Sequence, residues 1–390
     1  MNKRILVGLF VGLLVGLLAA ACQPNIAFVE VTRLVTVDGD VVAVGTAVPI
    51  EVTRVVNQEV TRVVPEEVVI EVTKSPIGSE ERPVQLLFPP TVNTAVITTR
   101  GEPLAQILTE TTGQQFAVGI PDDTPTLIDL LCAAPQDTIG VLSALDYARA
   151  SQQCGAQPGL VAMQPDGLTW QAGMIVTRRD SGLNAVEDLA GRSWGVVDTT
   201  SVPEFLAIQV QLADAGVEPG DVVQYETTSS LMLALYNREV DFVTAAYIPP
   251  ILPYDERPWQ YGEDPPEIWR RLGLSPTRSP IGYVIVFGEV EFGGYRLRDD
   301  RASIFDTVPG IYDETQILAL SPQIPNDTVV FGAAFPLGLA REVTAVLPQF
   351  AASEACVNSV CSTDFYGWAG LEPVTDEAYA PLLPLLEAGD

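Results

Sequence analysis

The stretch "TWQAGMIVTRRDSGLNAVEDLAGRSWGVVDTTSVPEFLAIQVQLADAG", residues 169 to 216, decides the fold. It begins with an apolar strand, turns through "RRDSGL" into a short helix that ends at Gly191, and continues as a second strand, "SWGVV", followed by a helix. Residues 221 to 250 repeat the order of strand, hydroxyl-rich loop, helix and strand. Strands that alternate with helices at this pace predict an α/β fold with a mainly parallel sheet.

Earlier residues follow the same order. "RPVQLLFPP" (82–90) and "QFAVGI" (115–120) are typical of buried strands, and "DTIGVLSALDYARAS" (137–151) of a strand, a loop and a helix. These units predict two α/β lobes joined by crossing strands. Residues 251–315 are less regular and rich in Pro, Gly, Tyr and charge, so the sequence does not assign them to a lobe.

The first 22 residues, "MNKRILVGLFVGLLVGLLAAAC", have the layout of a bacterial export signal. The small residues before Cys22 resemble a lipobox, in which the signal is cut before the cysteine and the thiol carries lipid. Leu18 lies one position earlier than is usual in that motif. An uncleaved anchor and a plain secretory signal remain open, and all three place the rest of the chain outside the cytoplasm.

A degenerate repeat follows the export signal: EVTR at 30–33, 51–54 and 59–62, and EVTK at 71–74. The irregular spacing argues against a solenoid, which needs a fixed period. Val and Thr favour strands, but charges of alternating sign recur, so we expect residues 22–78 to form a largely extended tether with transient β structure.

The composition narrows the functional classes. The 390 residues include no histidine, which removes the Ser-His-Asp and Cys-His nucleophile pairs and the commonest metal ligand. Lys and Arg number 21 against 50 Asp and Glu, and the net charge of -29 excludes charge-driven nucleic-acid binding. We expect no metal or other cofactor, and no spacing of acids singles out a catalytic pair.

Four cysteines follow Cys22, namely Cys132, Cys154, Cys356 and Cys361. In an exported protein an even count indicates disulfides, and four cysteines allow three pairings. We favour the two pairs that are local in sequence, because each closes a modest loop.

Five stretches, taken in order, resemble the phosphate, phosphite and phosphonate substrate-binding proteins of ABC importers. They are "IVTRRDSGLNAVEDLAGRSWGVVD" (175–198), "LALYNREVDFVTA" (233–245), "YRLRDDRASIFDTVPGIYDETQILALS" (295–321), "IPNDTVVF" (324–331) and "GLEPVTDEAYAPLLPLL" (370–386). The resemblance implies a two-lobed type II periplasmic-binding fold that closes on a small ligand in a cleft. It implies an ABC permease and ATPase as partners, and we expect a monomer.

The expected organisation follows from these features. It comprises a signal peptide (1–21), a lipid-anchored tether (22–78), the first part of lobe I (79–178), lobe II (179–250), an unassigned segment (251–315), and the return to lobe I with C-terminal helices (316–390).

The resemblance also predicts where the ligand binds. Thr199, Thr200 and Ser201 lie where the family places its "DPSSTSG" loop, in which hydroxyls and helix N-terminal amides hold an oxyanion, and Asp198 and Ser201 correspond to residues of that loop. The match is partial, because "VPEF" stands where the family has "TSGY" and Glu204 competes for the same helix N-terminus. Ser201 is alternatively an ordinary N-cap, with Glu204 in a near capping-box role.

Further candidates lie at the other strand-to-helix junctions and among the aromatic residues. They are Thr91, Ser143, Tyr147, Trp170, Thr228, Ser229 and Tyr247. A single hydroxyl at a helix start is more often a cap than a ligand, and a buried aromatic is more often core. Four junctions that converge on one cleft make the stronger case.

The sequence therefore predicts an extracytoplasmic, membrane-tethered solute-binding lipoprotein without enzymatic activity, whose ligand is a phosphate- or phosphonate-type oxyanion. The alternatives are a cell-surface sensor of the same fold, a binder of a metabolite without phosphorus, a carboxylate-dependent hydrolase, and a surface-structural protein.

Overall fold

The computed structural model describes residues 33–37, 40–44, 75–287 and 293–387. The predicted signal peptide and Cys22 lie outside these residues, as does most of the expected tether. The chain divides between Ser75 and Pro76 into two units. In the first unit, the described residues form an antiparallel hairpin of β1 (Arg33–Val37) and β2 (Asp40–Val44).

The second unit alternates strands and helices. Its strands are β3 (Val84–Leu87), β4 (Phe116–Gly119), β5 (Thr138–Leu142), β6 (Gln157–Met163), β7 (Trp170–Arg178), β8 (Trp194–Val196), β9 (Val222–Gln224), β10 (Phe242–Tyr247), β11 (Thr277–Arg278), β12 (Val284–Phe287), β13 (Gly294–Leu297), β14 (Thr315–Leu320), β15 (Ile324–Pro325), β16 (Thr328–Phe331) and β17 (Gly370–Pro373). Its α-helices are α1 (Thr94–Thr112), α2 (Thr124–Ala133), α3 (Ala144–Cys154), α4 (Ala207–Asp214), α5 (Thr228–Tyr236), α6 (Ile311–Glu314), α7 (Leu337–Ala351) and α8 (Leu383–Glu387). Among the residues described, none of the helices has the length and hydropathy needed to cross a bilayer.

The first lobe is built on a six-stranded sheet in the order β17-β6-β16-β5-β3-β4. Its strands β3, β4 and β5 are parallel, as the strand–helix alternation predicts. Strands β16, β6 and β17 pair antiparallel, so the sheet is mixed and the prediction of a mainly parallel sheet is wrong, because the strands that return from the second lobe add to it in the opposite direction. Helix α1 begins at the N-cap Asn93, whose side chain accepts the Ala95 N–H, and ends at Gly113, whose φ of 72° suits glycine. Its apolar face packs on the sheet through residues such as Ile97 and Leu108, both fully buried.

The second lobe is built on a sheet in the order β14-β7-β10-β8-β9, with β15 paired to the start of β7. Strand β10 is parallel to β8 and antiparallel to β7. The small sheet β11-β12-β13 joins this lobe, because Val284, Val286 and Tyr295 share a core with Leu231 and Val243. The segment 251–315, which the sequence left unassigned, therefore packs with the second lobe.

The chain does not cross between the two lobes at the expected boundaries, residues 178 and 316. Strand β7 pairs with β10 and β14, so its nine residues belong to the second sheet, and the chain crosses between Met163 and Trp170. It returns between Leu320 and Thr328. The apolar run 170–178 does not reveal its partner strands, which lie far away in sequence.

A buried ion network holds the second lobe together. The side chain of Arg301 is fully buried and donates to Asp299 at 2.9 and 3.0 Å and to Glu267 at 2.6 Å. Its guanidinium also lies over the ring of Tyr312, 4.5 Å from the centroid. Burial alone would raise the pKa of Glu267, but Arg301 and Arg270 outweigh it and the pKa is lowered.

The predicted disulfides are confirmed. Cys132 pairs with Cys154 across the α2 and α3 helices, and Cys356 pairs with Cys361 in the segment after α7. Both pairs lie in the first lobe, where the longer loop joins two helices that flank β5.

Candidate ligand cavity

A cavity of about 440 Å³ lies where the first crossing segment meets the second lobe. Four pieces of chain line it: the turn at 164–168, the start of β7, the residues 203–204, and the end of β10. Trp170 and Tyr247, both predicted from the sequence as ligand contacts, are among the lining residues. The volume suits a small metabolite.

The helix that leads into α4 begins with one π turn, Val202–Leu206. Ser201 caps it, since its hydroxyl oxygen accepts the Glu204 N–H at 3.4 Å. The N–H groups of Phe205 and Leu206 both donate to the Ser201 carbonyl. The Ser201 N–H donates to the Asp198 carbonyl and Pro203 has no N–H, so most of the amides that an oxyanion could use at this helix start are bonded or missing.

The π turn rests directly on strand β7 at Gly173. A Cβ added to Gly173 would lie 2.3 Å from the Pro203 carbonyl oxygen and 2.9 Å from the Glu204 Cα, so only glycine allows this approach. The contact positions Pro203 and Glu204 against the crossing strand. Glu204 consequently lines the cavity.

The carboxyl of Glu204 lies in an unfavourable electrostatic environment. Burial, followed by the nearby Asp300 and Asp198, raises its pKa to about 7. Burial also raises the pKa of Asp300 to about 6, although this carboxylate accepts the Ala246 N–H at 2.8 Å. Two acids whose pKa values are raised toward neutral pH therefore lie at or beside one cavity.

Aromatic rings form the other wall. Tyr247 is 2 % exposed, and its hydroxyl donates to the Pro266 carbonyl at 3.1 Å. The ring of Trp259 lies 5.4 Å from that of Tyr247 and 6.4 Å from that of Trp170, measured between centroids. Tyr261 contacts Trp170 edge-on at 5.8 Å. This packing fixes the two rings that reach the cavity.

The predicted hydroxyls at 199–201 turn the chain beside the cavity and do not line it. Thr200 donates to Asp198 through both its N–H and its hydroxyl, at 2.8 and 2.7 Å. Ser201 is the helix cap, as one of the two sequence interpretations predicts, whereas no hydrogen bond of the described chain gives Glu204 the reciprocal capping-box bond. Thr199 is half-buried just before them.

At the next junction, Thr227 and Ser230 form the capping box of α5. Thr228 and Ser229 occupy the first turn, and their side chains make no hydrogen bond to the part of the chain that the structure describes. They lie outside the cavity lining.

The candidates of the first lobe also lie outside the lining. Ser143 caps α3 and bonds Asp146, while Thr91 is exposed. Tyr147 is fully buried, donates to the Asp376 carboxylate and packs on Tyr379 with ring centroids 4.2 Å apart. Their roles as ligand contacts stay predictions.

Three residues near the cavity were not predicted. Asp166 lines it from the turn between β6 and β7, and Asp300 adjoins it from beyond β13. Arg298 donates to the carbonyls of Pro249 and Asp166, at 2.9 to 3.1 Å. The turn signal "QPDG" at 164–167 could have indicated Asp166, whereas the other two come from the irregular segment.

Larger cavities elsewhere in the described ranges, including one of about 520 Å³ beside α1 and β4, carry less of the predicted chemistry. A second, of about 520 Å³, shares Trp170 and extends toward Val374 and Pro381, and a third, of about 650 Å³, lies between α2, α3 and α8. Within the described ranges, no group of three acid or cysteine side chains could hold a metal ion.

Two α/β lobes joined by crossing segments, with a small-molecule cavity at the crossing, define a two-lobed solute-binding protein. A family model described as "ABC transporter, phosphonate, periplasmic substrate-binding protein" matches residues 86–379. The chain belongs to this family, and the predicted type II α/β fold is confirmed.

Solved structures with distant sequences are similar to this chain. A Xanthomonas citri protein bound to ATP is 11% identical, covers 79% of this chain and 99% of its own, and has a TM-score of 0.48. PhnD1 from Prochlorococcus marinus, in complex with methylphosphonate, is 11% identical over 78% of this chain and 96% of its own, with a TM-score of 0.38. A binding protein component of an ABC phosphonate transporter from Pseudomonas aeruginosa is 13% identical over 81% and 86%, with a TM-score of 0.38. No curated protein matches the chain.

Proposed function

We propose that this chain is a lipid-anchored, extracytoplasmic solute-binding protein that captures a small ligand and delivers it to an ABC permease. Membership of the periplasmic binding-protein family supports delivery to a transporter. The observation that carries ligand capture is the cavity of about 440 Å³ between Trp170, Tyr247 and Glu204. The lipid anchor rests on the lipobox-like sequence that ends at Cys22.

Phosphate, phosphite and phosphonates are the first ligands to test, because the family description names phosphonate. Thr228 and Ser229, whose side chains make no hydrogen bond to the described chain, offer a second place for an oxyanion outside this cavity, since the start of α5 favours negative charge.

A ligand without phosphorus is the second candidate. It is favoured by one observation, namely that Glu204 lines the cavity while most of the amides at the start of its helix are bonded within the chain or, at Pro203, missing. A carboxyl beside the site opposes a bare oxyanion.

Isothermal titration calorimetry of the purified protein tests the function. Solute capture predicts that a small solute binds at micromolar concentration and that no macromolecule competes with it. A raised melting temperature in the presence of that solute gives a second readout. If a broad panel of anions, zwitterions, cations and sugars leaves the melting temperature unchanged, the binding function is refuted. Membrane fractionation of Cys22→Ser separately tests the anchor.

A further inference from the structure

The charged side chains that line the cavity are all acidic. Among the residues that line it, the ionisable groups with charge are the carboxyls of Asp166 and Glu204, and no arginine lines it. One oxygen of Asp166 accepts the Leu168 N–H at 2.9 Å. The Glu204 carboxyl accepts no hydrogen bond from the described residues, although it is half-buried. A buried carboxyl without a partner favours a ligand that supplies one.

An arginine of the surrounding loops, Arg298, offsets only part of this charge. Its guanidinium donates two bonds to the Pro249 carbonyl and one to the Asp166 carbonyl, and its charge acts on Asp166, whereas the charges that act on Glu204 are those of Asp300 and Asp198. Asp300, the other acid beside Glu204, adds negative charge. The described side chains therefore leave an excess of negative charge at the cavity.

Two aromatic rings share this cavity with the carboxyl. Trp170 and Tyr247 line the same cavity as Glu204, and Trp259 packs against both rings. The face of an aromatic ring attracts a cation, and its apolar surface packs against the methyl or methylene groups that an organic cation carries. A carboxyl and two rings in one cavity combine both kinds of recognition.

We infer that the cavity binds an organic cation, with a primary or quaternary ammonium group of a small metabolite between the Glu204 carboxylate and the rings of Trp170 and Tyr247. This inference rests on the proposed function as a solute-binding protein and names its ligand class. The net charge of -29 steers cations toward the chain and anions away from it.

The test is calorimetry on the full-length protein at pH 8, where Glu204 is ionised. The probes are choline, its uncharged isostere 3,3-dimethylbutanol, ethanolamine and methylphosphonate. We expect choline or ethanolamine to bind, and the isostere to bind at least about tenfold more weakly than choline, because it lacks the charge that both walls recognise.

Three variants separate charge from packing. Glu204→Gln keeps the shape and is expected to weaken cation binding by roughly 10- to 100-fold, as for the loss of a charge-assisted contact. Glu187→Gln, an exposed glutamate of the same lobe, is the matched control and should bind as the wild type does. Trp170→Phe should retain more affinity than Trp170→Leu, because only the former keeps a ring.

The outcomes are distinct. Methylphosphonate binding without cation binding, or cation binding that Glu204→Gln leaves unchanged, overturns the inference and leaves the solute-binding function standing. Equal binding of choline and its isostere also overturns it. Failure of every probe overturns it as well, and the broad panel described above then decides the solute-binding function separately.

Discussion

Replacing Glu204 by glutamine should make the protein more stable. The ionised carboxyl is half-buried near Asp300 and Asp198, and its pKa of about 7 lies above its ordinary value of 4.5. A raised pKa means that the folded state disfavours the ionised form. Glutamine keeps the shape of the side chain and removes the charge.

The pKa shift sets the size and the pH window of this effect. Below pH 4.5 the carboxyl is protonated in both the folded and the unfolded state, so it costs nothing. As the pH rises from 4.5 to about 7 the unfolded state loses its proton first, and above about 7 the full penalty is present. At roughly 1.4 kcal/mol per tenfold change in proton affinity, this penalty is about 3 kcal/mol. Water reaches part of the side chain, so we expect a gain of about 2 kcal/mol for Glu204→Gln at pH 8.

Urea denaturation at pH 8 and pH 4 measures this gain, with Glu187→Gln as the exposed control. A Glu204→Gln protein that is no more stable than the wild type at pH 8, or that gains equally at pH 4, would refute the electrostatic reasoning. A variant that gains stability while it loses ligand affinity would show that the site is maintained at the expense of the fold.

Three further predictions concern the framework of the domain. Arg301→Met should lower the free energy of unfolding by about 3–5 kcal/mol, because it leaves Asp299 and Glu267 buried without their cation. Arg149→Gln removes a surface ion pair and should change this free energy by less than about 1 kcal/mol. Equal losses for the two variants in denaturant titrations would contradict this prediction. Gly173→Ala should lower the free energy of unfolding by about 1–3 kcal/mol or more and weaken ligand binding, because the new Cβ would meet the Pro203 carbonyl. Gly338→Ala in α7 has open space around it and should leave stability unchanged or raise it. Thermal unfolding of both variants tests this difference. Paired serine substitutions that remove Cys132–Cys154 should lower the free energy of unfolding by roughly 3 kcal/mol, and those that remove Cys356–Cys361 by roughly 2 kcal/mol. The first bond should contribute more because its sequence separation is 22 residues and that of the second is 5. The reverse order in chemical denaturation would refute the loop-entropy explanation.

Much of the local structure could be predicted from the sequence, because short-range signals determine it. Gly113 ends α1, Ser201 caps the helix after β8, and the cysteines pair with their sequence neighbours. In each case the residues that interact lie within a short loop or a few turns. The alternation of strands and helices likewise identified both lobes.

Long-range contacts account for the parts that could not be predicted. Strand β7 joins the second lobe because β10 and β14, up to about 150 residues away, supply its partners. The ligand role of Tyr147 stays a prediction, but its bond to Asp376 comes from the C-terminal segment and could not be predicted from the residues around Tyr147. The position of Glu204 depends on the approach of its turn to Gly173, which no local pattern encodes.

The raised pKa values of Glu204 and Asp300 make the cavity observable by proton counting. The chain has no histidine, and the four cysteines after Cys22 form disulfides, so the side chains that ordinarily titrate closest to neutral pH are absent or oxidised. Glu204 and Asp300, with pKa values of about 7 and about 6, exchange protons in this range. A ligand that fixes Glu204 as a carboxylate must expel a proton near pH 7, and one that needs it protonated must take one up. The sign of that exchange, read from binding heats in buffers of different ionisation enthalpy, reports the charge of the bound ligand before its identity is known.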